Sequence, residues 1–123
     1  MKIVLAGEDE ITLNPLPGPL TIEAPDAKMQ YSPFHMLGSA LAICTHSVLS
    51  SWGSHAGLST DDLTISISWS FAEKPHRVGS IRMALSWPSL PAERVEVARR
   101  AALLCPIHTT LSHPTSIEIA GGA

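Results

Sequence analysis

Charge is scarce in this chain, and cysteine is scarcer. Only 15% of the 123 residues are Asp, Glu, Lys or Arg and 45% are hydrophobic, where an average soluble domain carries about 25% charge. That balance excludes intrinsic disorder, because enough apolar surface exists to offset the entropy of folding. Basic residues are also the minority: eight Lys and Arg against eleven Asp and Glu leave a net charge of −3. The broad cationic surface that phosphate backbones select is missing, so no nucleic-acid partner is expected. Two cysteines, Cys44 and Cys105, are too few for the disulfide framework of a small secreted domain and are expected to be thiols. Glu8, Asp9 and Glu10 arrive before any apolar run long enough for a secretory signal core, so the expected location is the cytoplasm. The length suits one domain, 1–123, with a single core.

The scarcity of charge is uneven. From Ser32 to Thr60 there is no Asp, Glu, Lys or Arg, which marks a buried segment. A membrane span would need about 20 predominantly apolar residues, and Ser39, Thr45, His46, Ser47, Ser50, Ser51 and Ser54 interrupt this stretch too often. Pro33 suits a first helical turn and Gly57 a helix stop, so the segment predicts one helix from about Pro33 to about His55. Such a helix is about 35 Å long at 1.5 Å per residue, more than so small a domain can surround. The economical solution is a homodimer in which two of these helices pack between sheets.

The rest arranges itself around that helix. Residues 1–31 read as short strands, at Lys2–Leu5, Ile11–Leu13 and Leu20–Ile22, separated by acids, Pro and Gly. Residues 32–123 hold the central helix, a hairpin, a second helix and a last strand. Leu63–Phe71 and Ile81–Trp87 alternate apolar and polar residues, which predicts two antiparallel strands with one buried face each. A second helix is expected from about Leu90 to about Leu104, with Ser89 as its cap and Val95, Ala98, Ala102 and Cys105 on its inner face. Pro106 disfavours helical geometry at Cys105 and can open a new short helix toward Leu111. Thr115–Ala120 alternates as a last strand. The fold class is therefore α+β.

Candidate chemistry centres on the two thiols. Unpaired cysteine is among the most buried residue types and often only packs, whereas a reactive thiol needs a cation, a metal or a helix N-terminus nearby. Cys105, before Pro106, can cap the short helix. Cys44 lies far inside its own helix and needs a partner from elsewhere. Cys44-Thr45-His46 and Cys105-Pro106-Ile107-His108 also hold the inventory of a tetrahedral zinc site. Residues two apart on a helix diverge by roughly 200°, so Cys44 and His46 cannot share an ion, and no metal or other cofactor is expected. His108, one turn beyond Cys105, is the best assisting group. His55 is about 16 Å along the helix from Cys44 and cannot reach it. His35 and His46 share another face and suit dimer contacts or hydrogen-bonded core positions, while His76 and His113 read as solvent-facing.

The segment Ser32-Pro33, the Ala-rich uncharged helix carrying Ala42-Ile43-Cys44, Gly57-Leu58 with an alternating strand, and Leu104-Cys105-Pro106-Ile107-His108 together resemble the OsmC/Ohr family. The similarity runs from about Ser32 to Ile119. It implies an intertwined α+β homodimer, with long buried central helices wrapped by antiparallel sheets from both subunits. For the peroxidase members it implies a peroxidatic Cys44, a resolving Cys105, an organic hydroperoxide as substrate and a dithiol as reductant. Those members also use an N-terminal Arg to hold the thiolate and a Glu early in the central helix to hold the Arg. Here no Arg precedes Arg77, and Phe34 occupies the Glu position with His35 beside it. Both departures fall on one functional unit, so a remodelled site is expected, with Arg77, Arg82, His35 or His108 as alternative cations. A noncatalytic protein that binds a small hydrophobic ligand in a dimer-interface pocket is the competing expectation.

Overall fold

The computed structural model describes residues 1–122 and shows an α+β chain of five strands and three helices. Strands β1 (Lys2–Gly7), β2 (Glu10–Asn14) and β3 (Thr21–Glu23) precede helix α1 (Pro33–Ala56); β4 (Thr64–Ala72) and β5 (Arg77–Ser86) follow it. A single 3-10 turn at Ala92–Arg94 leads into α2 (Val95–Ala102), and α3 (Pro106–Ser112) comes last. The strands form one sheet in the order β3-β1-β2-β4-β5, antiparallel except where β3 runs parallel to β1.

Helix α1 begins and ends where its residues dictate. Ser32 is extended and its hydroxyl accepts the His35 N–H at 3.2 Å, while Nδ1 of His35 accepts the Ser32 N–H at 3.1 Å. This is a capping box with an imidazole in the place of the usual Glu or Gln. At the other end Gly57 takes the left-handed conformation (φ +71°), which terminates the helix without a Cβ penalty. The helix packs its His35, Ser39, Ala42, Thr45 and Leu49 side onto the sheet. Gly38 lets the two surfaces close up, because a Cβ there would stand 2.8 Å from Cζ3 of Trp69.

The sheet contributes the other half of the core. Ile3, Leu5, Ile11, Leu13, Ile65 and Ile67 are all essentially inaccessible, and each buried side chain of this size stabilises the fold by about 1.5–3 kcal/mol before entropy is counted. Strand β4 shows why its alternation is informative: Ile65, Ile67 and Trp69 point into the core, while Thr64, Ser66, Ser68 and Ser70 form a row of hydroxyls on the outer face. Its register with β5 sets Ile65 opposite Leu85, Ile67 opposite Met83 and Trp69 opposite Ile81, the hairpin that the sequence predicts.

Two expectations fail in the C-terminal third. The second helix is shorter than Leu90–Leu104, because Asp62 captures both the N–H and the hydroxyl of Ser89 at 2.7 Å each. Ser89 therefore caps nothing. Only Ala98, Ala101 and Ala102 of α2 are buried, and Val95 is partly exposed. Thr115–Ala120 is not a strand. It pairs with no strand of its own chain, and Ile117 and Ile119 stand 85% and 95% exposed. Both flanking edges of the sheet, β3 and β5, lack a further neighbour.

Candidate thiol site

Helix α1 presents a second face away from the sheet, where Leu37, Leu41 and Cys44 follow one another at spacings of four and three. Against this face pack α2 and α3. The turn between those two helices is made by Leu103, Leu104 and Cys105, whose N–H groups bond back to Arg100, Ala101 and Ala102. Pro106 holds Cys105 extended (φ −60°, ψ 123°), as steric conflict with the proline ring requires. From that position the buried Cys105 Sγ accepts the His108 N–H at 3.4 Å and caps α3.

Cys44 comes to the same region from α1: it is half-buried and, like Ile107, packs against the core that holds Cys105. Burial pushes the Cys44 thiol above its ordinary value, the contact with Cys105 pushes it the same way, and the Ile107 N–H pulls against both. The hydrogen bond from α3 to a sulfur is the one from the His108 N–H to Cys105. Both cysteines are free.

The other sequence candidates are placed elsewhere. His108 meets Cys105 through its backbone, while its imidazole has Nδ1 3.5 Å from Ser112 Oγ and lines a neighbouring cleft. His35 is buried, with Nε2 bonded to the Gly7 carbonyl at 2.8 Å and Nδ1 to Ser32. It ties the β1–β2 turn to the start of α1 and does not face the thiols. Phe34, at the position of the family Glu, packs edge-on against Phe71 at 4.9 Å. Arg77 caps the carbonyls of Glu73 and Pro75 in the hairpin turn, and Arg82 lies opposite Ser68 on the outer face of the sheet. None of the four alternative cations points a charged group at the thiols. His46 is half-buried, held below the usual imidazole value by burial and then by the N-terminal ammonium group. His55 bonds to the Ser51 carbonyl, and His76 and His113 are exposed. Among the described residues, no three His, Cys, Asp or Glu side chains are grouped to hold a metal ion, and no helix is long and apolar enough to cross a membrane.

Sequence reasoning missed two features. The Ile107 N–H has no side-chain signature, although Pro106 at the start of a helix was a usable hint. The second feature is a cleft of about 810 Å3 between β5, α1, α2 and α3. Leu41, Met83, Leu85, Trp87, Ala102 and Leu111 line its apolar walls, Arg99 and His108 supply its basic groups, and neither cysteine opens into it. Its signal was the apolar face of β5, which is too large for α1 alone to cover.

An uncharged central helix thus lies on a five-stranded sheet, with Cys44 on that helix and Cys105 at the α2–α3 turn. The family model for OsmC-like proteins matches residues 25–120, and the chain belongs to that family. The fold is similar to a crystal structure from Psychrobacter arcticus 273-4 of a protein named for osmotic stress induction and detoxification response. The TM-score is 0.64 at 18% identity, over 91% of this chain and 86% of that one. None of the curated proteins matches the chain.

Proposed function

We propose that the chain is a stress-response thiol redox protein that reduces organic hydroperoxides. The observation that carries this reading is the placement of Cys105 at the start of α3, where its sulfur accepts the His108 N–H, with Cys44 packed against the same core from α1. Cys44 is the more accessible sulfur and attacks. As thiolate it displaces on the peroxide, becoming a sulfenic acid while the O–O bond breaks and an alcohol leaves. The Cys105 thiol then condenses with the sulfenic acid, forming the disulfide and releasing water. A dithiol returns both cysteines to thiols and is itself oxidised to a disulfide. The Ile107 N–H takes over part of the missing guanidinium's role, since it alone among the groups facing Cys44 favours the anion.

The working unit is a homodimer on this reading. Supporting it are an uncharged α1 face that leaves Met36 51% exposed and a tail whose Ile117 and Ile119 find no cover within the chain. A second reading, a binding protein for a small hydrophobic ligand, is favoured by the cleft, whose volume suits a small organic molecule.

Intact mass under nonreducing conditions, before and after stoichiometric cumene hydroperoxide, separates the two. The thiol reading expects rapid loss of two hydrogens, abolished in Cys44→Ser and reversed by a dithiol. Two unreacted thiols overturn it and leave the binding protein.

A further inference from the structure

Cys105 combines two roles. Its Sγ caps α3 by accepting the His108 N–H, and the same side chain is the neighbour of Cys44. Ile107 packs against the core and Thr109 bonds to the Cys105 carbonyl, but the Cys105 sulfur is the side-chain cap of that helix. It has seven residues, none of them buried and none acidic in its first turn, and helices so short do not persist without caps and packing. Yet α3 matters to its surroundings. His108, Leu111 and Ser112 form one wall of the cleft, and Thr115 Oγ1 ties the following tail to the Thr110 carbonyl at 3.2 Å.

We propose that bond formation between Cys44 and Cys105 uncaps α3, so that oxidation of the thiol pair loosens the cleft wall and the tail beyond it. The inference rests on the thiol chemistry proposed above, with an organic hydroperoxide as the oxidant. In the reduced protein the Cys105 sulfur holds the His108 N–H, and Cys44 packs against the same core from α1. The disulfide draws them to covalent separation, so the Cys105 sulfur must turn toward α1 and away from His108. The His108 N–H then loses its acceptor, and the first turn of α3 is left with a further orphan donor. The coupling is reciprocal: whatever holds α3 against the cleft opposes oxidation of the pair by the same factor.

Hydrogen exchange read by mass spectrometry on the full chain tests this in three states: reduced, oxidised with stoichiometric cumene hydroperoxide, and Cys105→Ser, whose hydroxyl keeps a cap but cannot form the bond. Peptides covering 106–112 are expected to exchange about five- to tenfold faster in the disulfide form, the range that loss of one helix cap predicts. Peptides of β4 should not change, a dithiol should restore protection, and Cys105→Ser should stay protected under hydroperoxide. If Cys105→Ser fails to fold, Cys44→Ser supplies the same control. A disulfide seen by nonreducing mass with unchanged protection over 106–112 overturns the coupling and leaves the thiol chemistry standing. Absence of the disulfide, with hydroperoxide or with diamide, overturns both.

Discussion

Cys44 gains nothing from its own helix. It sits twelve residues into α1, numbered from Pro33, too far from the N-terminus for the helix dipole to help. Burial and the neighbouring Cys105 then favour its neutral form over the Ile107 N–H. Its folded value is therefore raised above that of an unfolded cysteine, about 8.5. Two consequences follow from the sign. Thiolate-dependent alkylation of Cys44 by iodoacetamide should rise with pH to a midpoint above that of a free cysteine, measured as modified mass against time in Cys105→Ser. A midpoint below that value would mean that a cation reaches the sulfur from outside this chain. The stability that Cys44 contributes is also complete below the unfolded value and is lost as pH rises through the folded one. His35 shows the opposite economy. Its Nε2 meets the Gly7 carbonyl and its Nδ1 accepts the Ser32 N–H, so both ring nitrogens of this buried side chain have partners.

Helix α1 was legible because three independent signals agreed: the absence of charge from Ser32 to Thr60, Pro33 at its start and Gly57 at its stop. Strand β4 was legible because strict alternation survives wherever one face is buried. The second helix was overdrawn, since no local rule foretells that Asp62, 27 residues away, will claim Ser89. The final strand was overdrawn for a related reason: alternation reports a segment's capacity to pair, while the pairing needs a neighbour. Of the thiol site, spacing alone supplied only the inward placement of Cys105; the pairing with Cys44 came through family resemblance, and the Ile107 N–H is invisible to side-chain patterns. Packing between elements can be tested at Gly38. An added Cβ would improve helix propensity by about 1 kcal/mol, yet it would stand 2.8 Å from an indole that His35 holds edge-on at 5.5 Å. Gly38→Ala should therefore lower stability by a net amount of about 1–2 kcal/mol in urea titration, and an unchanged midpoint would show that Trp69 can yield.

At the scale of the whole molecule, apolar burial and backbone pairing carry the fold. The salt bridges among the described residues are Lys2–Glu23 and Arg99–Glu96, with His76 also 3.0 Å from Glu73, all at least partly open to solvent, and pairs of this kind contribute little. The outer face of β4 continues the pattern, since its row of Thr64, Ser66, Ser68 and Ser70 offers water hydroxyl groups rather than ions. Glu10 and Arg82, both opposite Ser68, add one charge of each sign to this face, which leaves dissolved ions little net field to screen there. The melting temperature should accordingly move by no more than about 2 °C between 0.05 M and 0.5 M sodium chloride, an estimate from the small size of screened surface interactions. A larger shift in calorimetry would reveal a charge network beyond the pairs within this chain. Hydroxyls in place of ions therefore leave the folded chain nearly indifferent to the electrolyte around it, so a cell losing water and concentrating its salts would change little in the protein's energetics.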